Sequence, residues 1–319
     1  AALRKIRGRC RIALTGTPIE NRLDELWAIL DWATPGLLGT NAHFHQRWAR
    51  VIEQGGSQAA PRAQHLAARI APFVVRRVKT DPAIVPDLPP KTELDVFVRL
   101  TEEQAGLYRA TAERELREIR EIREIREART ASESVSGDRS AAASDAMGRR
   151  GKVLRLLTEL KQICDHPALY LEQPGPLAGR SGKLAVAEEL LCSIAAAGER
   201  ALVFTQYVGM ATRLTRRMGD LGLRVDALTG SLSAEQRARV VDSFQAGDLD
   251  VLVLSLRAGG TGLNLTAASH VVHYDRWWNP AVENQASDRA WRIGQDKHVT
   301  VHRLTCLRTL EEPIAAMLA

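Results

Sequence analysis

Three segments late in the chain carry residue types and spacings suited to handling phosphate. Ser255-Leu-Arg-Ala-Gly-Gly-Thr-Gly-Leu-Asn264 follows an apolar, strand-like run. Tyr274-Asp-Arg-Trp-Trp-Asn-Pro280 ends a second such run in paired tryptophans, and Gln285-Ala-Ser-Asp-Arg-Ala-Trp-Arg-Ile-Gly-Gln295 then reads as a helix. Arg289 and Arg292 stand four and seven residues beyond Gln285, so the three share one helical face. Two guanidinium groups on one face repel each other unless an anion lies between or opposite them, and the bidentate fork of arginine suits phosphate. Such a pair can stabilise charge building on a transferred phosphoryl group. Gln285 can orient the pair or a water; an exposed helix glutamine is the plainer alternative. Gly259, Gly260 and Gly262 permit positive φ and close backbone approach. Their amides can meet a phosphate, although Gly-Gly-Thr-Gly alone also suits an ordinary turn.

The elements that must position these residues are legible from Lys183 onward. Ala201–Thr205, Val225–Leu228, Val251–Leu254, His270–Tyr274 and Val299–Leu304 read as short strands, with helices between most of them. Ser233-Ala-Glu-Gln236 is a capping box. Asn279-Pro280 supplies an N-cap and an N1 proline for the arginine helix. The alternation implies an α/β domain with a parallel sheet covered by helices on both faces. The earlier part differs. Arg11–Leu14 reads as a strand, Leu23–Trp32 as a helix and Lys91–Leu100 as another strand, and two isolated strands make no stable sheet. Thr101-Glu-Glu-Gln104 is a second capping box, opening a long helix to about Arg129. Ile119, Ile122 and Ile125 recur too tightly to hold one face, which favours a protruding helix with local Glu–Arg pairs over a coiled coil. Thr130–Gly148, rich in Ser, Ala, Gly and Asp, reads as a mobile loop, and Lys152–Cys164 as a resumed helix. Gly175–Gly182 reads as a hinge before a compact unit starting near Ser181.

Composition narrows the partners. A chain of 319 residues with 45% hydrophobic residues can hold about two domains and a real core. Its net charge of +6 and pI near 9.4 favour a polyanion such as DNA or RNA, with a merely solvated basic surface as the alternative. Cys10, Cys164, Cys192 and Cys306 form no C-x-x-C pair, which suits a reducing compartment. The opening residues are too few and too charged for a signal peptide, and no apolar run reaches membrane-spanning length. Neither His43 with His45 nor Cys164 with His166 has zinc-site spacing, so no metal ligand is assigned.

The ordered series of motifs resembles the SWI/SNF family of helicase superfamily two. Leu14-Thr-Gly-Thr-Pro-Ile-Glu-Asn-Arg-Leu-Asp-Glu-Leu-Trp27 is similar to that family's third motif. Asp87-Leu-Pro-Pro-Lys91, Cys164-Asp-His-Pro167 and Ser181-Gly-Lys-Leu184 are similar to its connecting segments. Val203-Phe-Thr-Gln206 and Leu228-Thr-Gly-Ser231 are similar to the fourth motif and its successor, Ser255–Asn264 to the fifth and Gln285–Gln295 to the sixth. The resemblance implies a double-stranded-DNA translocase in which two RecA-like lobes clamp ATP and magnesium. On that basis residues 1–100 are the end of a first lobe, 101–180 a helical protrusion with linker, and 181–319 the second lobe. Arg289, Arg292 and Gln285 would be catalytic, and Gly260, Gly262, Arg289 and Arg292 would face the nucleotide. Gln206, Gly230, Ser231, Arg257, Gly262 and Trp277 would contact DNA phosphates without reading sequence. Arg257 stands where the family more often has lysine. At least one of Trp277 and Trp278 is expected in the core. Pro313 falls within the family's terminal brace helix, which should therefore start late.

Neither Gly151-Lys152-Val153 nor Gly182-Lys183-Leu184 fits a P-loop, and no Asp-Glu-x-His ends an apolar strand. Phosphate and magnesium would be held mainly by first-lobe residues beyond this sequence, and this chain alone is expected to be inactive. Partners implied are duplex DNA, the rest of the first lobe, and a DNA-bound complex, with RNA polymerase as one candidate. The setting would be a bacterial nucleoid or a nucleus. A strand-separating helicase and a non-catalytic nucleic-acid-binding module remain as alternatives.

Overall fold

The computed structural model describes residues 8–318 except 17, 20–21, 80, 82–83, 133–138 and 256–261, with backbone alone over 119–132, 139–150 and at 318. The chain divides into two compact units, 1–87 and 88–319. The first is helical, with α1 (Leu23–Ala33), α2 (Asn41–Phe44), a π-helical turn (His45–Ala49), α3 (Arg50–Gln54) and α4 (Ala59–Ile70). Leu26, Leu30, Leu38, Phe44, Trp48 and Leu66 form its core. The expected strand at Arg11–Leu14 is not formed. A strand needs a neighbour for its amides, and the described residues of this unit supply none; Ile12 and Leu14 face outward.

In the second unit the order is β1 (Lys91–Val98), α5 (Glu102–Ser132), α6 (Arg139–Asp165), α7 (Pro167–Tyr170), α8 (Gly182–Ala196), β2 (Ala201–Thr205) and α9 (Val208–Asp220). There follow β3 (Val225–Leu228), α10 (Ala234–Ala246), β4 (Val251–Ser255), β5 (His270–His273), α11 (Pro280–Ser287), β6 (Val299–Cys306) and α12 (Glu311–Leu318). The six strands form one parallel sheet in the order β1-β6-β5-β2-β4-β3. Side-chain alternation splits each central strand between two cores. Val203, Val253 and Val272 pack with Leu184, Leu191, Met210 and Leu214 on one face. Leu202, Phe204, Leu252 and Val271 pack with Phe244, Ala286 and Trp291 on the other. Burial on both faces explains the unbroken apolar runs of β2 and β4.

Three further expectations need correction. The strand at Lys91–Val98 does not lack a sheet: it pairs with β6 over its whole length. Residues 139–148, read as a mobile loop from their small polar composition, are the start of α6. Their backbone gains its ladder within α6, which pairs with α5 in a helical hairpin tied lower down by Arg114–Glu159 and Lys152–Glu118. The side chains of Ile119, Ile122 and Ile125 lie outside the described residues. Finally, Gly175–Gly182 is no free hinge. Leu177 is buried, its carbonyl meets His166 Nε2 at 3.0 Å, and the Gly182 amide donates to Gln104 Oε1 at 3.0 Å. A Cβ on Gly182 would sit 2.0 Å from the Arg99 carbonyl oxygen, so only glycine fits there. Pro313 behaves as expected: α12 begins at Glu311, which leaves the proline in its first turn.

One buried ion cluster joins three of these helices. Lys183 Nζ, at the start of α8, lies 2.9 Å from Asp165 Oδ1 of α6 and 2.6 Å from Glu311 Oε1 of α12, all three side chains fully buried. Burial works against the ammonium, but Asp165 and then Glu311 outweigh it and hold its pKa well above the usual lysine value. Lys183→Met should therefore lower stability by about 3–5 kcal/mol in denaturant unfolding, because two carboxylates lose their counter-ion. Adding Asp165→Asn and Glu311→Gln should recover part of that loss.

His273, at the end of β5, is buried with Nε2 2.9 Å from Ser287 Oγ. Burial, opposed by Glu283 and aided by Arg276, pushes its pKa from 6.5 down to about 4. The unfolded chain then binds the proton more readily. Its contribution to stability is complete above about pH 6.5 and is lost as pH falls towards 4, on the order of 3 kcal/mol for this one group. Thermal melting should fall over that window, and His273→Asn should flatten the fall.

Candidate functional site

Because every strand is parallel, the C-terminal ends of β2, β3, β4 and β5 meet along one edge of the sheet. Ligands of open α/β sheets bind outside such ends. Gln206 follows β2, Gly230 and Ser231 follow β3, Gly262 lies beyond β4, and Trp277 follows β5. The structure thus brings these five expected contact residues to one edge. Gly230 and Ser231 are exposed, with Ser231 Oγ 2.9 Å from Thr229 Oγ1. Gly262 is exposed with φ of 92°, a backbone that disfavours any side chain. Arg257 and Gly260 lie outside the described residues.

A buried polar layer fixes this edge from below. Asp275 accepts Thr205 Oγ1 at 2.5 Å and the Gln206 amide at 3.1 Å, which clamps the end of β2 to the end of β5. Burial raises its carboxyl pKa, with Lys161 and the Thr205 bond pulling the other way. Lys161, buried on α6, donates to the Arg276 carbonyl, and its ammonium lies 5.3 Å from the Trp278 ring centroid. Arg276 makes a two-pronged pair with Glu283 at 3.0 and 3.1 Å, and the same carboxylate accepts the Trp277 amide at 2.7 Å. The tryptophans correct an expectation: neither joins a core. Trp277 is half-buried and Trp278 is 44% exposed. The Gln206 side-chain amide nitrogen is buried and finds no hydrogen-bond partner among the described residues.

The arginines are arranged differently from the expected helical face. Asn279 caps α11 through the Ala281 amide, Pro280 stands at its first position, and the helix ends at Ser287. Gln285 is on the helix and exposed, while Arg289 and Arg292 follow on turns. The reason is Gln295, a buried side chain whose amide nitrogen donates to the carbonyls of Thr266, Ala268 and Ala290 at 2.9–3.1 Å. Its oxygen accepts the amides of Asp296 and Lys297. These bonds fold 288–297 back onto the segment before β5, and the Leu265 amide donates to the Arg289 carbonyl at 2.9 Å. Arg289 is buried, and burial followed by the like charge of Arg292 lowers its pKa. The two guanidinium groups are therefore close enough to oppose each other, as an anion site requires. Both follow the C-terminal end of α11.

Sequence reasoning passed over Asp275, Lys161, Glu283 and Gln295 as functional supports. The only signal was that they are polar residues next to apolar runs. Among the described residues, three possible metal ligands converge only at Cys164, Cys306 and Glu311. Two thiols do not suit magnesium, so no magnesium step is derived for this chain.

The sequence matches the profile of the SNF2-related domain over residues 1–169 and that of the helicase conserved C-terminal domain over residues 182–294. It is 45% identical over 320 residues to the Bacillus subtilis protein YwqA, covering 99% of this chain and 32% of that one. It is 34% identical over 334 residues to the DNA repair and recombination protein RAD26 of Saccharomyces cerevisiae, covering 98% and 28%. The chain thus spans about a third or less of the length of these curated relatives. Among solved structures it is similar to the Sulfolobus solfataricus SWI2/SNF2 ATPase core in complex with dsDNA, with 38% identity and a TM-score of 0.58 over 99% of this chain and 62% of that one. The isolated C-terminal domain of the same ATPase matches with 35% identity and a TM-score of 0.55, over 72% and 85%. The doubly covered parallel sheet is accordingly RecA-like. With one profile spanning more than half of its residues and the second taking in the strand edge and the arginine turn, the chain belongs to the SNF2-related, or SWI/SNF, family.

Proposed function

We propose that the chain is the C-terminal part of an ATP-dependent translocase that tracks along duplex DNA and remodels protein–DNA complexes. The observation that carries this is the gathering of Gln206, Gly230, Ser231, Gly262 and Trp277 at one end of a parallel sheet. Small side chains and backbone amides dominate that set. Such groups suit phosphates, which every sequence presents alike. The net charge of +6 supports a polyanion on the same surface. A RecA-like relative solved with dsDNA supports the choice of duplex. Arg257 and Gly260 join the proposed set on sequence grounds alone.

In the proposed division, 181–319 is the second lobe, 101–180 the protrusion and 1–100 the end of the first lobe, with β1 lending its strand to the second lobe's sheet. Arg289 and Arg292 act on the γ-phosphate of ATP as charge stabilisers, and Gln285 orients them. Desolvation of Arg289 strengthens its field on any anion that reaches it. The phosphates and magnesium would be held mainly by residues of the first lobe. RNA polymerase or another DNA-bound complex is the proposed target of remodelling.

In the whole enzyme, Arg289→Ala or Arg292→Ala should lower ATP turnover by roughly 10³-fold while DNA affinity changes little. Turnover unchanged in both variants would remove the assignment. The chain alone, mixed with duplex DNA, ATP and magnesium, should release no phosphate above background. Its DNA binding should be indifferent to sequence and fall steeply between about 50 and 200 mM salt in fluorescence anisotropy. Strong preference among unrelated duplexes would instead favour a specific binding module. Strand separation by the whole enzyme, without displacement of a blocked triplex, would favour a helicase.

A further inference from the structure

Cys164 is the next-to-last residue of α6 and Cys306 ends β6, 142 residues apart in sequence. Both are fully buried. Their sulfur atoms and a Glu311 carboxylate oxygen all lie within 4.8 Å of one another. The Cys306 thiol points back at α6, donating to the Cys164 carbonyl at 3.6 Å. Neither thiol has a place in the phosphate chemistry above. The other cysteines, Cys10 and Cys192, lie outside this group.

We infer that Cys164 and Cys306 form a reversible intramolecular disulfide when the chain meets a hydroperoxide, stapling the end of α6 to the end of β6. The chemistry balances in two steps. One thiolate attacks the O–O bond of hydrogen peroxide, forms a sulfenic acid and releases water once the leaving hydroxide takes up the thiol's proton. The second thiol attacks that sulfur, forms the S–S bond and releases a second water. Two thiols are thereby oxidised by two electrons, and one peroxide is reduced to two waters.

The surroundings favour this pair over a metal site. Glu311, the third possible ligand, already holds the Lys183 ammonium at 2.6 Å and the Cys306 amide at 2.8 Å. A divalent cation would have to displace a fixed positive charge. Burial, the Cys306 thiol and Glu311 lift the Cys164 thiol well above its ordinary pKa, with Lys183 alone pulling the other way, so a thiolate needs the site to open. Burial makes access the slow step: the pair reacts only when α12, an eight-residue helix, or the end of α6 opens. A bond formed slowly and undone by thiols is the kind of disulfide that a reducing compartment tolerates. It would lock the junction at which Asp165, Lys183 and Glu311 meet.

The test uses the reduced, purified full chain treated with hydrogen peroxide, then N-ethylmaleimide, followed by peptide mapping. The expected product links the Cys164 and Cys306 peptides, loses about 2 Da, and reverts with dithiothreitol. Cys10 and Cys192 should be alkylated, and mild urea should speed the linkage because it promotes opening. Cys306→Ala should abolish the linked peptide. If that variant does not fold, the map of the native chain decides alone. Separate alkylation of both cysteines, sulfinic acid at either, or a bridge to Cys10 or Cys192 would overturn the inference. Stoichiometric zinc retained by the reduced chain in native mass spectrometry would do the same.

Discussion

The second unit depends on a buried charge that has nowhere to go. Lys183 is sealed among apolar side chains, and its ammonium is tolerable only because Asp165 and Glu311 reach it from two other helices. An ion pair of this kind adds little net stability over a well-packed apolar core, yet it is costly to break. Its value lies in what it excludes. No shift of α6, α8 or α12 relative to one another keeps all three groups paired. The flanking residues repeat the constraint. Ser181 caps α8 and donates to the Asp165 carbonyl at 2.7 Å, and Tyr274 donates to the same carbonyl at 2.9 Å. Gly182 lets α8 start hard against β1's last residues. Ser181-Gly182-Lys183 is thus a junction in which each residue has a different physical job.

From that junction the polar layer runs under the sheet edge. Asp165 sits four residues beyond Lys161, which reaches the backbone at Arg276. Arg276 and Glu283 then tie the tryptophan segment to α11, and Asp275 ties it to β2. Each link satisfies a buried group that would otherwise cost free energy. Together they make the protrusion helix α6 and the strand ends parts of one connected polar network.

The sequence was legible where local and global preferences agree. Both capping boxes form as read, and the five strands from Ala201 onward appear within two residues of their expected limits. Those strands carry their own signal, because burial on both faces demands continuous apolar runs. Legibility failed where a distant partner decides the outcome. Arg11–Leu14 has strand-like residues but no neighbour among the described residues of its unit, whereas Lys91–Val98 finds one in β6, some two hundred residues later. Residues 139–148 carry loop-like composition yet continue into α6, whose lower half packs against α5. The arginine helix was misread because helical spacing says nothing about Gln295, whose five hydrogen bonds stop the helix from continuing.

The same contrast separates positioning from chemistry. Asp275, Glu283, Lys161 and Gln295 are buried and heavily bonded, and what they hold is mostly backbone: the amides of Gln206 and Trp277, and the carbonyls of Arg276, Thr266 and Ala268. Gly230, Ser231 and Gly262, by contrast, stand in open surroundings. A surface that meets phosphates through amides and hydroxyls has few side-chain rotamers with which to adapt, so its precision must come from the main chain. A rigid main chain at strand ends needs buried partners for its amides and carbonyls. The polar residues sealed beneath this edge meet that requirement.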